Sequence, residues 1–466
     1  MKDLASADAH RLGLAFAARE LTPVEVAQAV FEQMDRWEPA IHAMYLVHRR
    51  EALAQALASE LRWLAGKPLS PLDGVPVTIK ENLHTAGDPA PLGVAIGSRL
   101  ARVADSPPAA RLREAGCVIL GKTTMPDYGM LSSGLSSMHG LTRNPWRLDC
   151  NPAGSSSGAG AAGAAGYGPL HVGTDIGGSV RLPANHCGLF GLKPSLGRIP
   201  IDPPYMGRAA GPMTRTVTDA AMMLDVLSRP DRRDYMSLPF QPGDYAAGVD
   251  GLSLKGVRIG LLTDMKAGMP AEPGVVHTVE AAAAALAGAG ATIEPVGSFM
   301  TPAMLDGMCR FFEARSGVEV AALDDADRAK ILPFIVEWAT WRSVGFSGAD
   351  VMNAYTQIMA MREAAVRCAA RFDFLLSPVA PIVSYGAEQH SPSDDPPDAL
   401  SHIAFTVAWN MSEQPAASVN WHHVDGLPIG VQVVGQRFDD LGVLRLARAI
   451  EQLRPAQAAW PTPPAA

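Results

Sequence analysis

A serine in a glycine-rich turn is the residue of this chain best suited to nucleophilic chemistry. Ser179 lies within residues 173–183, Gly-Thr-Asp-Ile-Gly-Gly-Ser-Val-Arg-Leu-Pro, directly after two glycines. Because glycine permits sharp turns, the amides of Ile176, Gly177, Gly178 and Ser179 can converge beside the hydroxyl. Such amides would stabilise the oxyanion formed when a serine attacks a carbonyl carbon. An isolated Gly-Gly-Ser is more typical of a simple turn, so the interpretation as a nucleophile depends on the other motifs in the chain.

Two further segments accompany this serine. A Gly/Ser-rich run at 153–160 contains Ser155, 24 residues before Ser179, and Lys80 lies 75 residues before Ser155. A lysine can act as a general base when burial lowers its pKa from the usual ~10.4. Together the three segments supply a nucleophile, a second hydroxyl and a base.

Residues 151–166 consist almost entirely of glycine, alanine and serine. That composition fits either a flexible linker or a tightly packed loop and helix. We favour the packed alternative, with a helix over 159–165, because alanine is the best helix former and a linker has no reason to separate two chemical motifs.

In this order and at these separations, the three motifs resemble those of the amidase signature family of serine hydrolases, and the resemblance runs from about residue 20 to residue 451. It implies that Ser179 is the nucleophile, that Ser155 follows a cis peptide bond and relays the proton, and that Lys80 is the general base. It also implies that Asp175 and Arg181 support the nucleophile loop as an ion pair.

The resemblance implies a substrate-binding wall as well, formed by Gly129, Met130, Leu131 and Ser156. The chain departs from the family pattern at Ala153 and Ser157, where glycine is usual, and at Glu81, where aspartate is usual. Both substitutes in the Gly/Ser run are small, so the loop should keep its fold, although Ser157 offers a second candidate for the relay.

The identity of residue 403 bears on the substrate. In the glutamine-hydrolysing chain of glutamyl-tRNA amidotransferases, an acidic residue at this position meets the amino group of glutamine, whereas this chain has Ile403. The resemblance therefore favours a stand-alone hydrolase of neutral, hydrophobic amides, such as aryl amides. Esters and carbamates are further candidate substrates. A catalytically silent relative and the glutamine-hydrolysing chain of an amidotransferase remain as alternatives.

Composition limits the other functions open to the chain. Its 466 residues carry a net charge of −8 with no dense basic run, which argues against nucleic acid as a partner. The twelve histidines show no metal-ligand spacing, so we expect no metal and no other cofactor. No Gly-x-Ser-x-Gly elbow surrounds Ser179, so we expect no Ser-His-Asp triad. We expect a small-molecule substrate and a monomer or homodimer.

Location follows from similar observations. No apolar run reaches 18 residues, so no membrane span is expected. Residues 1–5 show no secretory leader, and five scattered cysteines fit reduced, buried thiols, which together predict a cytoplasmic protein.

Strand and helix patterns predict an α/β fold. We expect a central mixed, mostly parallel sheet covered on both faces by helices, in one domain made of helices at 1–70, the motif-bearing core at 71–235, a variable region at 236–375 and a return to the sheet at 376–466. The helix predicted over 49–65 should bury Leu53, Leu57 and Leu61. The other predicted elements are helices at 23–37, 107–116 and 275–287, strands at 75–79, 117–121, 257–262, 291–296, 375–378 and 426–435, and a possible lid at 384–399.

Overall fold

One eleven-stranded sheet forms the centre of the computed structural model, which describes residues 4–464. Part of the segment 1–5, on which the expectation of no leader rests, therefore lies outside the described residues. A separate two-stranded sheet consists of β4 and β5. The strands are β1 Met44–Val47, β2 Pro76–Lys80, β3 Val118–Thr123, β4 Leu135–Ser136, β5 Gly140–Leu141, β6 Leu170–Asp175, β7 Phe190–Lys193, β8 Ala209–Thr214, β9 Arg258–Leu261, β10 Thr292–Pro295, β11 Phe374–Pro378, β12 Ala416–Val424 and β13 Leu427–Val434.

Helices surround this sheet, as predicted for an α/β fold. Within residues 4–464, no helix combines the length and the apolar character that crossing a bilayer requires. The helices are α1 Ala9–Ala17, α2 Pro23–Ile41, α3 Arg49–Leu64, α4 Pro107–Glu114, α5 Ser157–Ala165, α6 Arg181–Cys187, α7 Val217–Leu227, α8 Tyr245–Gly248, α9 Pro273–Gly288, α10 Pro302–Ala321, α11 Asp325–Arg328, α12 Pro333–Thr340, α13 Gly348–Ala369, α14 Ala404–Met411 and α15 Asp440–Leu453.

The strand order is β1-β3-β2-β6-β8-β7-β12-β13-β11-β9-β10, and the predicted mixed sheet is confirmed. The prediction that its pairs are mostly parallel is wrong, because among the described residues four pairings are parallel and six are antiparallel. One cause is the hairpin of β12 and β13, where Asp425 and Gly426 have φ of 51° and 79°. Two residues with positive φ make the tight turn that joins antiparallel strands.

The first long helix follows the capping pattern of its sequence. Thr22 accepts a hydrogen bond from the amide of Glu25, whose carboxylate accepts one from the Thr22 amide, and Pro23 is the first helical residue. This reciprocal pair satisfies amides that would otherwise lack partners at the helix start. The helix is longer than predicted, ending at Ile41.

Helix α3 forms where predicted, but it buries a different face. Leu57 and Leu61 are 52% and 60% exposed, whereas Ala52, Ala56 and Ser59 are buried. Small residues let α3 approach its neighbours closely, and this close packing outweighs burial of the larger leucines. The prediction is therefore wrong for Leu57 and Leu61, whereas Leu53 is partly buried and packs against the core.

The Gly/Ala/Ser-rich segment is a packed helix and not a linker. All nine residues of α5 are buried. A Cβ atom added at Gly158 would lie 2.3 Å from the carbonyl oxygen of Ala43, so only glycine permits this approach. The alternative that we favoured from the sequence is confirmed, and it explains why the segment has no large side chain.

The core on the side of the nucleophile loop is built from residues of several segments. One buried apolar cluster includes Met130, Leu131, Leu182 and Ile403, which come from both halves of the chain. All five cysteines are buried and unpaired, as expected for reduced thiols. Much of the wall of a cavity in this cluster is therefore apolar.

The segment 384–399 has little regular structure but is held by hydrogen bonds. Asn151 donates to the carbonyl oxygens of Ala387 and Gln389 at 3.1 and 3.0 Å, and the Ser133 hydroxyl donates to Gln389 at 2.9 Å. These contacts fix the segment next to the loop that carries Ser155.

Candidate active site

The sheet brings the three predicted motifs together at one end of its strands. Strands β2 and β6 are parallel neighbours, with Ile79 opposite Val172, so their carboxyl ends lie side by side. Lys80 is the last residue of β2 and Asp175 the last of β6, four residues before Ser179. In sheets with parallel strands, side chains that follow the carboxyl ends commonly form the ligand site.

Lys80 is fully buried and surrounded by hydroxyl groups. Its Nζ lies 2.9 Å from Ser155 Oγ, 3.0 Å from Ser156 Oγ and 3.1 Å from Thr174 Oγ1. Asn82 Nδ2 donates to Thr174 Oγ1 at 3.0 Å and so orients that hydroxyl. The lysine predicted as base thus contacts the serine predicted as relay directly.

The surroundings of Lys80 favour its neutral form. Burial lowers its pKa well below the ordinary value, the positive charge of Arg208 lowers it further, and the carboxylates of Asp175 and Glu81 oppose both effects. Burial disfavours an ammonium ion because its charge loses hydration. These surroundings therefore favour the neutral amine, which is the form that can accept a proton.

The backbone around Ser155 has two unusual features. The Gly154–Ser155 peptide bond is cis, as the resemblance implies, and Ala153 has a φ of 62°. The hydroxyl of Ser157 is buried and has no hydrogen-bond partner within residues 4–464. Ser157 therefore does not contact Lys80, and Ser155 keeps the position expected of the relay.

Asp175 and Arg181 form a buried ion pair behind the nucleophile loop. Arg181 Nη2 and Nε lie 2.9 and 3.0 Å from the two carboxylate oxygens of Asp175. The guanidinium also donates to Gln432 and Asn410, and Asn410 donates to Asp175. Although burial raises the pKa of Asp175, the Arg181 charge and these hydrogen bonds outweigh it and hold that pKa well below its usual range.

The predicted oxyanion hole needs one correction. The Gly178 amide donates to Asp175 Oδ1 at 2.8 Å, so it does not face the space beside Ser179. A buried carboxylate requires hydrogen-bond donors, and the amides of Gly178 and Val180 satisfy this need for Asp175. Within the described chain, the amides of Ile176, Gly177 and Ser179 have no hydrogen-bond partner.

A cavity of about 750 Å³, including its mouth, opens beside Ser179. We call it the apolar cavity, because most of its walls are hydrophobic or aromatic. The predicted residues Gly129, Met130 and Leu131 line it. Its other walls include Leu92, Tyr128, Ile176, Leu182, Phe312, Trp338, Leu400 and Ile403, with the polar Ser132, Arg315, Ser316 and Glu319.

Ser156 does not line this cavity, and its prediction as a substrate contact is wrong. Its side chain is fully buried, contacts Lys80, and donates to the Thr174 carbonyl at 3.3 Å. Ser156 immediately precedes α5, whose close packing turns the hydroxyl inward to the lysine. The structure therefore assigns it to the surroundings of the base.

A second cavity, of about 810 Å³ including its mouth, adjoins the apolar cavity. The two share the lining residues Leu92, Tyr128, Gly129, Ile176, Ser179 and Arg315. We call the second cavity the basic cavity, because it is lined by His84, Arg102, Arg208 and Arg315. Ser155 and Thr174 also line it, which places the hydroxyls around Lys80 on this side of the nucleophile.

Comparison with known proteins agrees with this geometry. The sequence model of the amidase family matches residues 25–444. The chain belongs to the amidase signature family. It is 34% identical to the A-type subunit of the glutamyl-tRNA(Gln) amidotransferase of Symbiobacterium thermophilum over 96% of each chain. Among solved structures, a bacterial aryl acylamidase of the amidase signature family has a TM-score of 0.88 at 28% identity over 96% of each chain. The native peptide amidase of Stenotrophomonas maltophilia has a TM-score of 0.84 at 26% identity over 98% of each chain.

The protein is thus an amidase, an enzyme that acts on carbon–nitrogen bonds. Lys193 of this amidase, the last residue of β7, is buried. Its Nζ donates to the Pro194 carbonyl at 2.9 Å, and burial, with help from Arg181, lowers its pKa to about 7. The carboxylates of Asp175 and Asp440 oppose that shift.

Several site residues of this amidase escaped the sequence analysis. Thr174 and Asn82 lie inside or beside the motif segments, so they were open to prediction as polar residues flanking the catalytic ones. Arg102, Arg208 and Glu319 lie in segments with no motif. They reach the site only through the tertiary fold, and no local signal identifies them.

Proposed function

We propose that this amidase is a stand-alone serine amidohydrolase of neutral, hydrophobic amides, with related esters and carbamates as further substrates. The observation that supports this proposal most is the apolar cavity at Ser179, in which Ile403 occupies the wall. The uncharged side chain of Ile403 favours apolar acyl groups at this wall, because a charged group beside it would lose hydration without gaining a partner from that residue.

The proposed reaction is acyl transfer through Ser179. Its hydroxyl passes a proton to Ser155, which passes its own to neutral Lys80, while Ser179 Oγ bonds to the carbonyl carbon. The tetrahedral intermediate collapses, the carbon–nitrogen bond breaks, and the proton returns from Lys80 through Ser155 to the leaving amine. Water then attacks the acyl-enzyme by the same route and releases the carboxylic acid.

The contacts of Lys80 support half of this relay. Its Nζ lies 2.9 Å from Ser155 Oγ. Within residues 4–464 the Ser179 hydroxyl has no hydrogen-bond partner, so the step from Ser179 to Ser155 is part of the proposal. Both serines line the basic cavity, which is consistent with a contact that forms when substrate binds.

The amides of Ile176, Gly177 and Ser179 are the proposed donors to the oxyanion. They are free of other partners among the described residues, and the ion pair of Asp175 and Arg181 holds the loop that carries them. Donors fixed before the reaction stabilise the developing charge without reorganisation. Asp175 and Arg181 are positioning residues in this proposal.

The second candidate function is release of ammonia from glutamine as one chain of a glutamyl-tRNA amidotransferase. The 34% identity to such a chain favours it, and so does the polar pair Arg315 and Glu319 in the apolar cavity. These charges could contact the carboxylate and the amino group of glutamine. An amidotransferase chain would purify with partner chains, whereas a stand-alone enzyme would be active as a monomer or homodimer.

We also propose a single domain and a cytoplasmic location, without nucleic acid or membrane partners.

Labelling and a substrate panel test the proposal. A fluorophosphonate should label the wild-type protein on Ser179 and leave Ser179→Ala unlabelled, with Ser157→Ala as the matched control that keeps its label. The purified chain should then hydrolyse an aryl amide with a far higher kcat/KM than glutamine. Undiminished labelling of Ser179→Ala would refute the nucleophile, and comparable values for the two substrates would favour the amidotransferase function.

A further inference from the structure

The strand topology brings an arginine to the active-site edge. Strand β8 is antiparallel to β6, with Ala209 opposite Asp175, so β8 begins where β6 ends. Arg208 immediately precedes Ala209 and therefore lies beside the carboxyl end of β6. Arg102 and Arg315 reach the same basic cavity from a loop and from α10.

These three arginines form no ion pair within the described chain. The buried Arg102 Nε has no hydrogen-bond partner, and Nη2 makes one long contact of 3.4 Å to the Ala90 carbonyl. Arg315 stacks on Tyr205, with its guanidinium carbon 4.8 Å from the ring centroid. The Arg208 side chain is half-buried and has no partner among residues 4–464.

Nearby carboxylates do not neutralise this cluster. Asp175 lines the basic cavity but is engaged by Arg181. Asp202 raises the pKa of Arg208, but burial and then Arg315 lower it to about 10, and Asp202 is not within ion-pair distance. Burial, with help from Arg102, lowers the pKa of His84 to about 4, so the arginines carry the charge at neutral pH.

Partly buried positive charges without counter-ions are costly unless a ligand supplies the negative charge. Guanidinium groups bind carboxylates especially well, through paired hydrogen bonds to both oxygens. The basic cavity therefore has the chemistry of a carboxylate site, whereas the apolar cavity, which shares Arg315 with it, is mostly hydrophobic.

The positions of Lys80 and Ser155 indicate which half of the substrate lies in this cavity. Ser155 and Thr174 line it, and Lys80 contacts both. Because Lys80 and Ser155 return the proton to the leaving amine, that amine must lie on their side of Ser179. We propose that the basic cavity binds the leaving-amine half of the substrate and that this half carries a carboxylate. This inference rests on the proposed acyl transfer at Ser179.

Three anilides test this assignment, and the first two differ only in whether the carboxylate of the leaving half is esterified. The three are the amide of phenylacetate with 4-aminobenzoate, the methyl ester of that compound, and succinyl anilide, whose carboxylate is on the acyl side. The first should be cleaved at its amide with a kcat/KM about tenfold or more above the second, as expected for hydrogen bonds to charged groups. Equal values for the first two, or preference for succinyl anilide, would overturn the inference while leaving acyl transfer at Ser179 intact.

Variants identify the residues responsible. Arg208→Gln and Arg102→Gln should each reduce the ratio of kcat/KM between the first two substrates toward one, and Arg208→Lys should retain part of it. This ratio cancels any general loss of activity caused by the proximity of Arg208 to Lys80. The control is Arg232→Gln, an exposed arginine outside both cavities, which should keep the ratio. An unchanged ratio in both Arg208→Gln and Arg102→Gln would refute the site.

A binding measurement keeps the inference testable if hydrolysis is undetectable. Calorimetric titration of Ser179→Ala with 4-aminobenzoate and with its methyl ester reports recognition of the carboxylate without turnover. Tighter binding of 4-aminobenzoate by about tenfold, lost in the Ser179→Ala/Arg208→Gln double variant, supports the carboxylate site. Equal affinity for the two amines would overturn it, whereas failure of the proposed function would appear separately as an unlabelled Ser179.

Discussion

The guanidinium of Arg181 meets the carboxylate of Asp175 at two points, with both side chains fully buried. The same carboxylate accepts hydrogen bonds from the amides of Gly178 and Val180, which lie on either side of the proposed nucleophile. One ion pair thus fixes the backbone around Ser179, while the amides of Ile176 and Gly177 remain free for an oxyanion.

Arg181→Met should destabilise the fold by about 3–5 kcal/mol, because it leaves the Asp175 charge buried without its counter-ion. Denaturation in urea measures this change. Arg258→Met is a surface control, since Arg258 and Glu294 are both substantially exposed and an exposed pair contributes about 1 kcal/mol or less. Similar losses in the two variants would contradict the importance of burial.

The pH dependence of this effect has a defined sign. The pKa of Asp175 is held well below its usual range in the folded state, so the pair contributes stability above the unfolded pKa of ~3.9. That contribution is lost only as the pH falls through the lower, folded pKa. The wild-type contribution should therefore stay constant from pH 7 to pH 5. In Arg181→Met, burial without the counter-ion raises the pKa of Asp175, so the difference in unfolding free energy between the two proteins should shrink as the pH falls.

Gly178→Ala should impair catalysis strongly. Gly178 has a φ of 128°, and an added Cβ would lie 2.6 Å from Thr406 Oγ1 and 2.8 Å from Leu182 Cδ1. Relief of these contacts must move the nucleophile loop, and displacement by about 1 Å can reduce the rate by about 100-fold. The rate of fluorophosphonate labelling and kcat report this loss, with circular dichroism to confirm folding.

Gly288→Ala is the matched control for that variant. Gly288 ends α9, and an added Cβ would have no heavy atom within 4 Å, so its activity should equal that of wild type. Wild-type activity in Gly178→Ala would show that the loop tolerates the displacement.

Ile403→Asp should change the preference between substrates. Ile403 is buried in the wall of the apolar cavity, and its Cδ1 would lie 3.4 Å from a Cβ placed at Gly177. A carboxylate there should lower kcat/KM for an aryl amide by about tenfold or more and raise the ratio of glutamine to aryl amide turnover. Ile403→Asn separates polarity from charge: it should lower the aryl amide value but leave kcat/KM for glutamine no higher than in the wild type, so the ratio should rise less than in Ile403→Asp. Unaltered aryl amide turnover would remove Ile403 from the acyl wall.

Features encoded by short stretches of sequence could be predicted, whereas features that depend on long-range contacts could not. Lys80, Ser155 and Ser179 lie in short motifs whose residue types carry the chemistry, and the small residues of α5 directly indicate close packing. The Gly178 amide was misassigned because its role depends on where the Asp175 carboxylate turns. Local sequence does not encode that choice.

Long-range packing accounts for the other errors. Leu57 and Leu61 of α3 are exposed because its small residues Ala52 and Ala56 pack into the cluster formed with α2, which a helical pattern alone does not reveal. The proportion of parallel strands was overestimated because α/β alternation predicts crossovers, whereas β6, β8, β7, β12 and β13 pair antiparallel at the centre of the sheet. The basic cavity depends on the same antiparallel entry of β8.

Lys80→Ala should remove the rising limb of the pH profile. Burial, followed by Arg208, lowers the pKa of Lys80, so kcat/KM of the wild type should rise with pH as the ammonium loses its proton. Two other lysines could produce such a limb, because burial lowers the pKa of both Lys122 and Lys193 to about 7. Lys122→Met is therefore the sharpest control, since Lys122 adjoins Ile79 on the neighbouring strand but hydrogen-bonds the Leu83 carbonyl.

The two lysine variants should differ in one further respect. Lys80→Ala should slow acylation by an amide more than by the matched ester, because a poor amine leaving group needs the returned proton and a phenoxide needs it less. Lys122→Met should keep both the limb and the amide-to-ester ratio of the wild type. Stopped-flow acylation measured across pH for both substrates decides between them. A limb that survives in Lys80→Ala, or equal losses for amide and ester, would assign the base to another group.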